Sequence, residues 1–329
     1  MQYRVLGSSG LMVSPICLGT MTFGVPVAEP EAIRLVHESI DLGINFIDTA
    51  NAYEGYSRVL GSPGGVAERI VGKALQDRRD QVILATKVAA PIGLGPLDRG
   101  LSAVHILREL ENSLRRLATD VIDLYIIHWP DKATPLEVTL SAMDQAVRQG
   151  KVRYFGASNH SAWQLCKLLW LADTQGGPKV VSSQIPFSML MREFQNDLEF
   201  CQGHGIGVTP YQPFQGGLLT GKYRRGQPPP GDSRAAEHPP WMREFNNALF
   251  DQLEGVESMA RQAGAPMAQY VLAWTLAQQA MSSLVVGAKR IDQVKDAVAS
   301  LDVEIPGEHF AKLDQLLAPP WKQADPIRG

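Results

Sequence analysis

The sequence predicts an α/β fold, a closed (β/α)8 TIM barrel with an N-terminal β-hairpin and a long loop after the seventh strand. Eight short apolar runs with β-strand composition recur along the chain, and helical patterns follow them. Polar residues collect at the C-terminal ends of several runs. A doubly wound open sheet has the same alternation, but no G-x-G-x-x-G motif follows the first run, as that fold would require. The closed barrel is therefore favoured, as a single domain over 1–329.

The eight candidate strands are nearly continuous apolar stretches, which is typical of parallel strands covered on both faces. In a closed barrel the C-terminal ends of such strands meet at one rim, where active sites are built. In chain order the candidates are PICLGTM (15–21), INFIDTA (44–50), VILATKV (82–88), IDLYIIH (122–128), VRYFGAS (152–158), VSSQIPF (181–187), GIGVTPY (205–211) and SLVVGAK (283–289).

Helices are indicated between these runs. Segment 103–118 carries apolar residues at spacings of three and four, which predicts an amphipathic helix. The motif at 134–137, Thr-Pro-Leu-Glu, reads as a capping box with proline at the first helical position, and Gly150 closes that helix. Pro266 opens a further helix that is predicted to run to about Ala280.

Three connecting segments depart from the regular alternation. The first ten residues predict a short hairpin strand and turn that closes the bottom of the barrel. Segment 213–245 is rich in glycine and proline and is too long for an ordinary connection, so it is either a lid over the active-site rim or a mobile insertion. Its position after the seventh strand favours a lid. A smaller insertion at 56–65 is predicted to wall the same opening.

The composition is that of an ordinary globular protein, with 45% hydrophobic and 20% charged residues. A net charge of −3 argues against a nucleic-acid or anionic-membrane partner. The three cysteines have no metal-site or disulfide spacing. The N-terminus lacks a signal-peptide pattern, and no apolar run reaches the ~18 residues of a membrane span. These features predict a cytoplasmic protein.

Four polar residues stand at or just beyond the ends of successive strand candidates: Asp48, Tyr53, Lys87 and His128. A free tyrosine has a pKa near ~10, too high for an efficient acid at neutral pH. A neighbouring ammonium would lower it, and Asp48 would hold Lys87 charged. His128 would donate a hydrogen bond to a carbonyl oxygen. Each residue alone has an ordinary structural interpretation, but the four together favour a catalytic site with Tyr53 as proton donor.

The order Asp48, Tyr53, Lys87, His128 within FIDTANAY, ATKV and IIHWP resembles the catalytic tetrad of the aldo-keto reductase superfamily. The resemblance runs from RVLGSSGLMVSPICLGTMTFG to VVGAKRIDQVKDA, nearly the whole chain. It implies a (β/α)8 barrel that uses NAD(P)H, without metal or flavin, to reduce aldehydes and ketones or to run the reverse reaction.

The resemblance also implies cofactor positions. GASNH and SSQIPF match segments that bind the nicotinamide carboxamide, PYQPF matches an aromatic that stacks on its ring, and GTM touches the nicotinamide ribose. GGLLTGK fits a loop near the pyrophosphate, and VVGAKRIDQV resembles the adenosine end. The positions are Thr20, Met21, Asp48, Ser158, Asn159, Gln184, Tyr211, Gly217, Leu218, Lys222, Gly287, Lys289 and Gln293. Lys289 and Arg290 at a helix start suit a 2′-phosphate, so NADPH is preferred and NADH remains possible.

We therefore expect an NADPH-dependent carbonyl reductase. A second hypothesis comes from superfamily members that serve as β subunits of potassium channels, with the nucleotide as a sensor and little turnover. A third treats Lys87 as the Schiff-base nucleophile of a barrel aldolase, which would leave Ser158, Asn159 and Gln184 without a role.

The substrate is expected to be a small carbonyl compound or alcohol. Aromatic residues at the predicted rim provide the candidate substrate contacts, namely Phe23, Tyr56, Trp129 and Trp241. The short tail after Pro320 leaves little chain to close a large apolar pocket, which disfavours steroid-type substrates. The reaction direction and the oligomeric state stay open.

Overall fold

A computed structural model of the chain describes residues 1–56, 58–59 and 61–317 and confirms the predicted TIM barrel. The tail after Pro320, used above to disfavour steroids, lies outside the described residues. An antiparallel pair of short strands precedes eight parallel strands. The strands are β1 (Arg4–Val5), β2 (Met12–Val13), β3 (Ile16–Gly19), β4 (Phe46–Asp48), β5 (Ile83–Val88), β6 (Ile122–Ile127), β7 (Val152–Ser158), β8 (Val180–Gln184), β9 (Gly207–Val208) and β10 (Leu284–Gly287).

The parallel strands follow the order β10-β3-β4-β5-β6-β7-β8-β9, so seven neighbouring pairs form one curved sheet. Backbone hydrogen bonds between the outermost strands close this sheet into a barrel. The amide of Ser282 donates to Val208 O at 2.9 Å, and the amide of Val285 donates to Pro210 O at 2.9 Å. Each predicted run contains its strand, except that β8 begins one residue earlier, at Val180. Because β9 has only two residues, the chain that follows it at the C-terminal rim of the barrel leads directly into the long loop.

The N-terminal hairpin closes the end of the barrel opposite the site. Leu6 and Val13 are fully buried and belong to an apolar cluster with side chains from the barrel strands. Gly7 has φ +51°, and a Cβ atom there would lie 2.2 Å from Val181 O. Glycine is therefore required at this turn by conformation and by space.

Helices surround the barrel, and apolar faces of both layers form the larger core cluster. They are α1 (Glu29–Asp41), α2 (Val66–Ala74), α3 (Ala103–Leu117), α4 (Leu136–Arg148), α5 (Ala162–Gln175), α6 (Asp197–Gly203), α7 (Arg234–Glu237), α8 (Asn247–Gln262), α9 (Met267–Leu276), α10 (Ile291–Ala299) and α11 (Gly307–Leu316). The described residues contain no helix with both the length and the apolarity that a bilayer crossing needs.

Two helix predictions need correction. The predicted capping box at the start of α4 is absent, because the Thr134 hydroxyl donates to Asp131 Oδ2 at 2.7 Å and Pro135 takes the N-cap position. Gly150 does follow the end of α4 with φ +71°. Helix α9 ends at Leu276, several residues before Ala280.

Segment 213–245 follows β9 as a long connection with little regular structure. It contains short 3-10 helices at Leu218–Thr220 and Pro239–Trp241 and the single-turn helix α7. The segment reaches across to the 56–65 insertion, where Arg234 Nη2 donates to the Tyr56 hydroxyl at 2.7 Å. The two insertions therefore wall the same opening.

Candidate active site

Asp48 and Lys87 form a buried ion pair at the C-terminal ends of β4 and β5. Lys87 is fully buried, and Asp48 is 1% exposed. The Lys87 ammonium donates to Asp48 Oδ1, to Thr49 O at 2.9 Å and to the Tyr53 hydroxyl at 3.1 Å. An ammonium has three N–H donors, and all three have an acceptor. Lys87 is thus fixed in place, with one donor on the phenol oxygen.

The Lys87 amine is held in its protonated form. Burial by itself would lower the pKa of Lys87, but the Asp48 carboxylate and the Tyr53 hydroxyl together raise it by more, so the net pKa lies above the ordinary value. A Schiff-base nucleophile needs a neutral amine. This environment therefore argues against the aldolase hypothesis.

Tyr53 lies beyond β4, and its hydroxyl meets the Lys87 ammonium. Burial raises the pKa of Tyr53 above its ordinary value, and the positive charge of Lys87 offsets only part of that rise. The expectation of a lowered pKa was therefore wrong for the net balance, because desolvation outweighs the ammonium. The phenol stays protonated at neutral pH.

His128 follows β6 and faces Tyr53, with the two ring centroids 5.9 Å apart. Burial lowers the pKa of His128 well below its ordinary value, and the charges of Lys87 and Arg58 add to the effect. The imidazole is therefore neutral at pH 7. Its Nδ1 atom is buried without a hydrogen-bond partner among the described residues, while Trp129 stacks on the ring at 3.7 Å.

The residues predicted to bind the nicotinamide adjoin the tetrad. Gln184 Nε2 donates to Asp48 Oδ2 at 2.9 Å, so both oxygens of that carboxylate have a donor. The Thr20 hydroxyl donates to Asp48 O at 3.0 Å, and Met21 follows it with a partly exposed side chain. The end of β3 and the end of β8 therefore meet at Asp48.

Asn159 connects the next part of the site. It adopts φ +60° directly after β7, and its Nδ2 atom donates to His128 O at 2.9 Å and to Ser158 Oγ at 3.0 Å. The Tyr211 hydroxyl donates to Asn159 Oδ1 at 2.7 Å, and burial raises the pKa of Tyr211 to about 12. Polar groups from β6, β7 and the end of β9 are thus joined in one hydrogen-bonded set.

A cluster of cationic side chains, Lys222, Arg234 and Lys289, lies on and beside the long loop. Gly217 has φ +92°, which favours glycine, and a Cβ atom there would lie 2.6 Å from Lys222 Cε and displace this lysine side chain. Leu218 starts the short 3-10 helix and is buried. Burial lowers the pKa of Lys222, and the positive charge of Lys289 lowers it further. Arg234 adds a guanidinium whose Nε atom is buried without a partner among the described residues. These groups fit the phosphates of a dinucleotide.

The predicted adenosine-end residues lie at the end of β10 and around the start of α10. Gln293 Oε1 accepts from Lys289 N at 2.7 Å and so caps the start of α10. Lys289 Nζ donates to Glu237 Oε1 at 2.6 Å and to Asp232 O at 2.9 Å, both on the long loop. Gly287, at the end of β10, is exposed and has open space around it. The acidic partners could not be predicted from the sequence, because acidic residues in a loop are usually solvated.

The predicted substrate contacts divide into two groups. Trp129 and Trp241 are exposed, and Tyr56 lies 5.9 Å from Trp241, ring centroid to centroid, so these three aromatics line the opening. Phe23 was placed at the rim wrongly. It is fully buried in the main core between barrel and helices. Arg234 was missed, although it covers the Tyr56 ring at 4.1 Å. A lone arginine in a loop carries no sequence signal of its own.

Comparison with known proteins relates the chain to a family. The family model described as Aldo/keto reductase family matches residues 15–318. The chain is 36% identical over 328 residues to the protein named uncharacterized oxidoreductase YrpG from Bacillus subtilis (strain 168), covering 97% of each chain. It is 33% identical over 314 residues to a probable voltage-gated potassium channel subunit beta from Arabidopsis thaliana, covering 92% of each. It is 32% identical over 331 residues to L-glyceraldehyde 3-phosphate reductase from Escherichia coli (strain K12), covering 97% of this chain and 93% of the relative.

Proposed function

The chain belongs to the aldo/keto reductase family, and we propose that it reversibly reduces an aldehyde or ketone to an alcohol with NADPH, with Tyr53 as the general acid. The observation that carries this proposal is the Tyr53 hydroxyl 3.1 Å from the Lys87 ammonium, with Asp48 paired behind it. A phenol at the rim of the barrel, held by a buried cation, is suited to give a proton to a carbonyl oxygen as it gains negative charge.

The bound nicotinamide supplies the hydride, and the residues of the chain handle the oxygen and its proton. Tyr53 donates its proton to the oxygen of the substrate, and the Lys87 ammonium stabilises the phenolate that remains. Asp48 keeps Lys87 charged and oriented. Neutral His128 donates a hydrogen bond to the same oxygen and orients it. In the reverse direction the tyrosinate takes the proton from the alcohol.

The cationic cluster supports a dinucleotide with a phosphate on its adenosine ribose. Lys222, Arg234 and Lys289 carry positive charges there, and Arg290 stands at the start of α10. The acidic partners limit the preference, because Glu237 already neutralises Lys289. A 2′-phosphate must replace this carboxylate at Lys289, whereas a ribose hydroxyl need not. Despite this cost, the four cations favour a 2′-phosphate, so we propose NADPH as the preferred cofactor, with NADH accepted at lower affinity.

Turnover of reduced cofactor by the purified chain tests the proposal. The parent and Tyr53→Phe should be compared on a panel of small aldehydes and ketones, with the loss of NADPH absorbance as the signal. If Tyr53 supplies the proton, the variant loses ~10²–10⁴-fold in kcat and keeps its affinity for NADPH. Equal turnover of parent and variant would contradict the assignment.

A regulatory role is the second candidate, because a relative at 33% identity carries the name of a probable potassium channel subunit beta. The chain would then bind NADP(H) tightly and act as a nucleotide sensor for a partner protein. Tight NADPH binding with no turnover of any panel compound would favour this role. Efficient turnover would favour the reductase.

A further inference from the structure

A second buried ionic network lies outside the barrel wall, behind the catalytic strands. Glu68 on α2 and Glu109 on α3 are both fully buried, and the guanidinium of Arg116 joins them. Arg116 Nε lies 2.5 Å from Glu68 Oε2, and its Nη2 atom lies 3.3 Å from Glu109 Oε2. Two carboxylates thus share one arginine, which leaves one negative charge to be stabilised by neutral donors.

Two of those neutral donors belong to the segments that carry Asp48, Tyr53 and Lys87. The Thr86 hydroxyl donates to Glu68 Oε1 at 2.6 Å, and Thr86 directly precedes Lys87. Asn51 Nδ2 donates to Glu109 Oε2 at 3.1 Å, and Asn51 lies between Asp48 and Tyr53. Each carboxylate therefore holds one of the two segments from the side facing away from the substrate.

The backbone transmits these contacts to the reacting atoms over a few bonds. The amide of Asn51 donates to Lys87 O at 3.3 Å, which ties the two segments to each other. The amide of Ala67, next to Glu68 at the start of α2, donates to Tyr53 O at 3.0 Å. Gly64 also packs on the segment, since a Cβ atom there would lie 2.1 Å from Asn51 O. Tyr53 and Lys87 are thus held by one continuous set of polar contacts.

Stability alone is a weak reason for such a network. Burying carboxylates is costly, and apolar side chains of similar volume often serve as well or better at such places. Apolar contacts are not directional, whereas hydrogen bonds fix the orientation of Asn51 and Thr86. Catalysis depends on this, because a displacement of about 1 Å at a reacting group can cost ~10²-fold in rate.

We propose that Glu68, Glu109 and Arg116 are positioning residues that hold the Tyr53 hydroxyl on the Lys87 ammonium through Asn51 and Thr86. This inference rests on the proposed reductase function. It assigns a role to polar groups that touch neither substrate nor cofactor.

Exchanging the two partners of one hydrogen bond tests the inference. Asn51→Asp sets a carboxylate against Glu109, and the like charges push the segment away. Glu109→Gln combined with Asn51→Asp restores a donor and an acceptor in reversed order. We expect the Asn51→Asp variant to lose ~10–100-fold in kcat with unchanged affinity for NADPH, and the double variant to recover most of that loss. A double variant no better than Asn51→Asp would overturn the inference.

The Thr86 contact gives an independent measurement should Asn51→Asp fold poorly. Thr86→Val removes the hydroxyl at nearly constant volume and is expected to lower kcat, whereas Thr86→Ser keeps the donor and should stay near the parent. Parent-like kcat in Thr86→Val would contradict the role of this contact.

Asp123→Asn is the matched control. Asp123 is 1% exposed and accepts from Arg79 and Arg153, but it lies near the start of β6, at the opposite end of the barrel. The control is expected to lose stability and keep the kcat of the parent. If its kcat falls as far as that of Asn51→Asp, the losses reflect stability and the inference fails.

Tyr53→Phe distinguishes a failure of the proposed function from a failure of the positioning role. Full turnover in that variant would contradict the proposed function itself. Lost turnover in Tyr53→Phe, with parent-like kcat in both Asn51→Asp and Thr86→Val, would contradict the positioning role alone.

Discussion

Replacing Asp48 by asparagine is expected to reverse the pH dependence of stability that Lys87 contributes. In the parent, the pKa of Lys87 lies above its ordinary value, so the folded state binds this proton more tightly than the unfolded state does. The contribution is complete below the unfolded pKa of about 10.4 and is lost as the pH rises through the higher folded pKa. From pH 7 to pH 10 this group leaves the stability of the parent nearly constant.

Without the carboxylate, burial is the main influence on the fully buried lysine, which keeps its hydrogen bonds to Thr49 O and the Tyr53 hydroxyl. Burial can lower a lysine pKa by ~3–5 units, so we expect the pKa of Lys87 in the variant to fall below its unfolded value. The unfolded state then binds more protons than the folded state between about pH 7 and pH 10, so stability rises with pH. Three units at 1.36 kcal/mol each give a rise of up to about 4 kcal/mol. Near pH 7 the variant should be about 3–5 kcal/mol less stable than the parent.

Urea unfolding of parent and variant at several pH values between 7 and 10 measures both effects. The Lys87→Met change in the Asp48→Asn background is the control, because it removes the titrating group and should remove the slope. A variant whose free energy of unfolding is as flat with pH as that of the parent would refute this account of the ion pair.

Three further outcomes are expected. Lys289→Ala should weaken NADPH binding by about tenfold, equivalent to ~1.4 kcal/mol, and leave NADH binding nearly unaffected, whereas Glu237→Gln should strengthen NADPH binding. Fluorescence titration with both cofactors measures these affinities, and equal losses for the two cofactors in Lys289→Ala would contradict a phosphate contact. The pKa of His128 lies below its unfolded value, so the parent should lose stability as the pH falls below about 6.5, by at most ~1.4 kcal/mol per pH unit from this group. Urea unfolding of His128→Gln between pH 7.5 and pH 5 should show a smaller decrease in the free energy of unfolding than the parent does. Gly7→Ala places a Cβ atom against Val181 O in a left-handed turn and should cost about 2–4 kcal/mol of stability while kcat stays at the parent value.

The barrel could be predicted because parallel strands and their covering helices have strong periodic signals. The tetrad followed from it, since the position of a residue at a strand end determines which rim it joins. Phe23 is a residue for which this rule predicted the wrong position. An aromatic residue just beyond a strand suits the rim and the core equally well, and its burial depends on the packing of helices that the local sequence does not contain.

Contacts between loops could not be predicted from the sequence for a related reason. Lys289 was singled out as a cation for phosphate, but its pairing with Glu237 depends on the path of a long connection with little regular structure. The network of Glu68 and Glu109 was missed because acidic residues on amphipathic helices normally face solvent. Only the three-dimensional placement of Asn51 and Thr86, which donate to the two carboxylates, shows why Glu109 and Glu68 are buried.

The raised pKa of Tyr53 changes what the remainder of the site must accomplish. A phenol of raised pKa transfers its proton only as the substrate oxygen gains negative charge and becomes a strong base. Proton transfer must then coincide with the arrival of the hydride, and it depends on distance and alignment more than on acidity. The fixed contacts of Lys87, and the hydrogen bonds that hold Asn51 and Thr86 behind it, provide this alignment. Substitutions that loosen the segment should therefore reduce kcat even where every catalytic group remains.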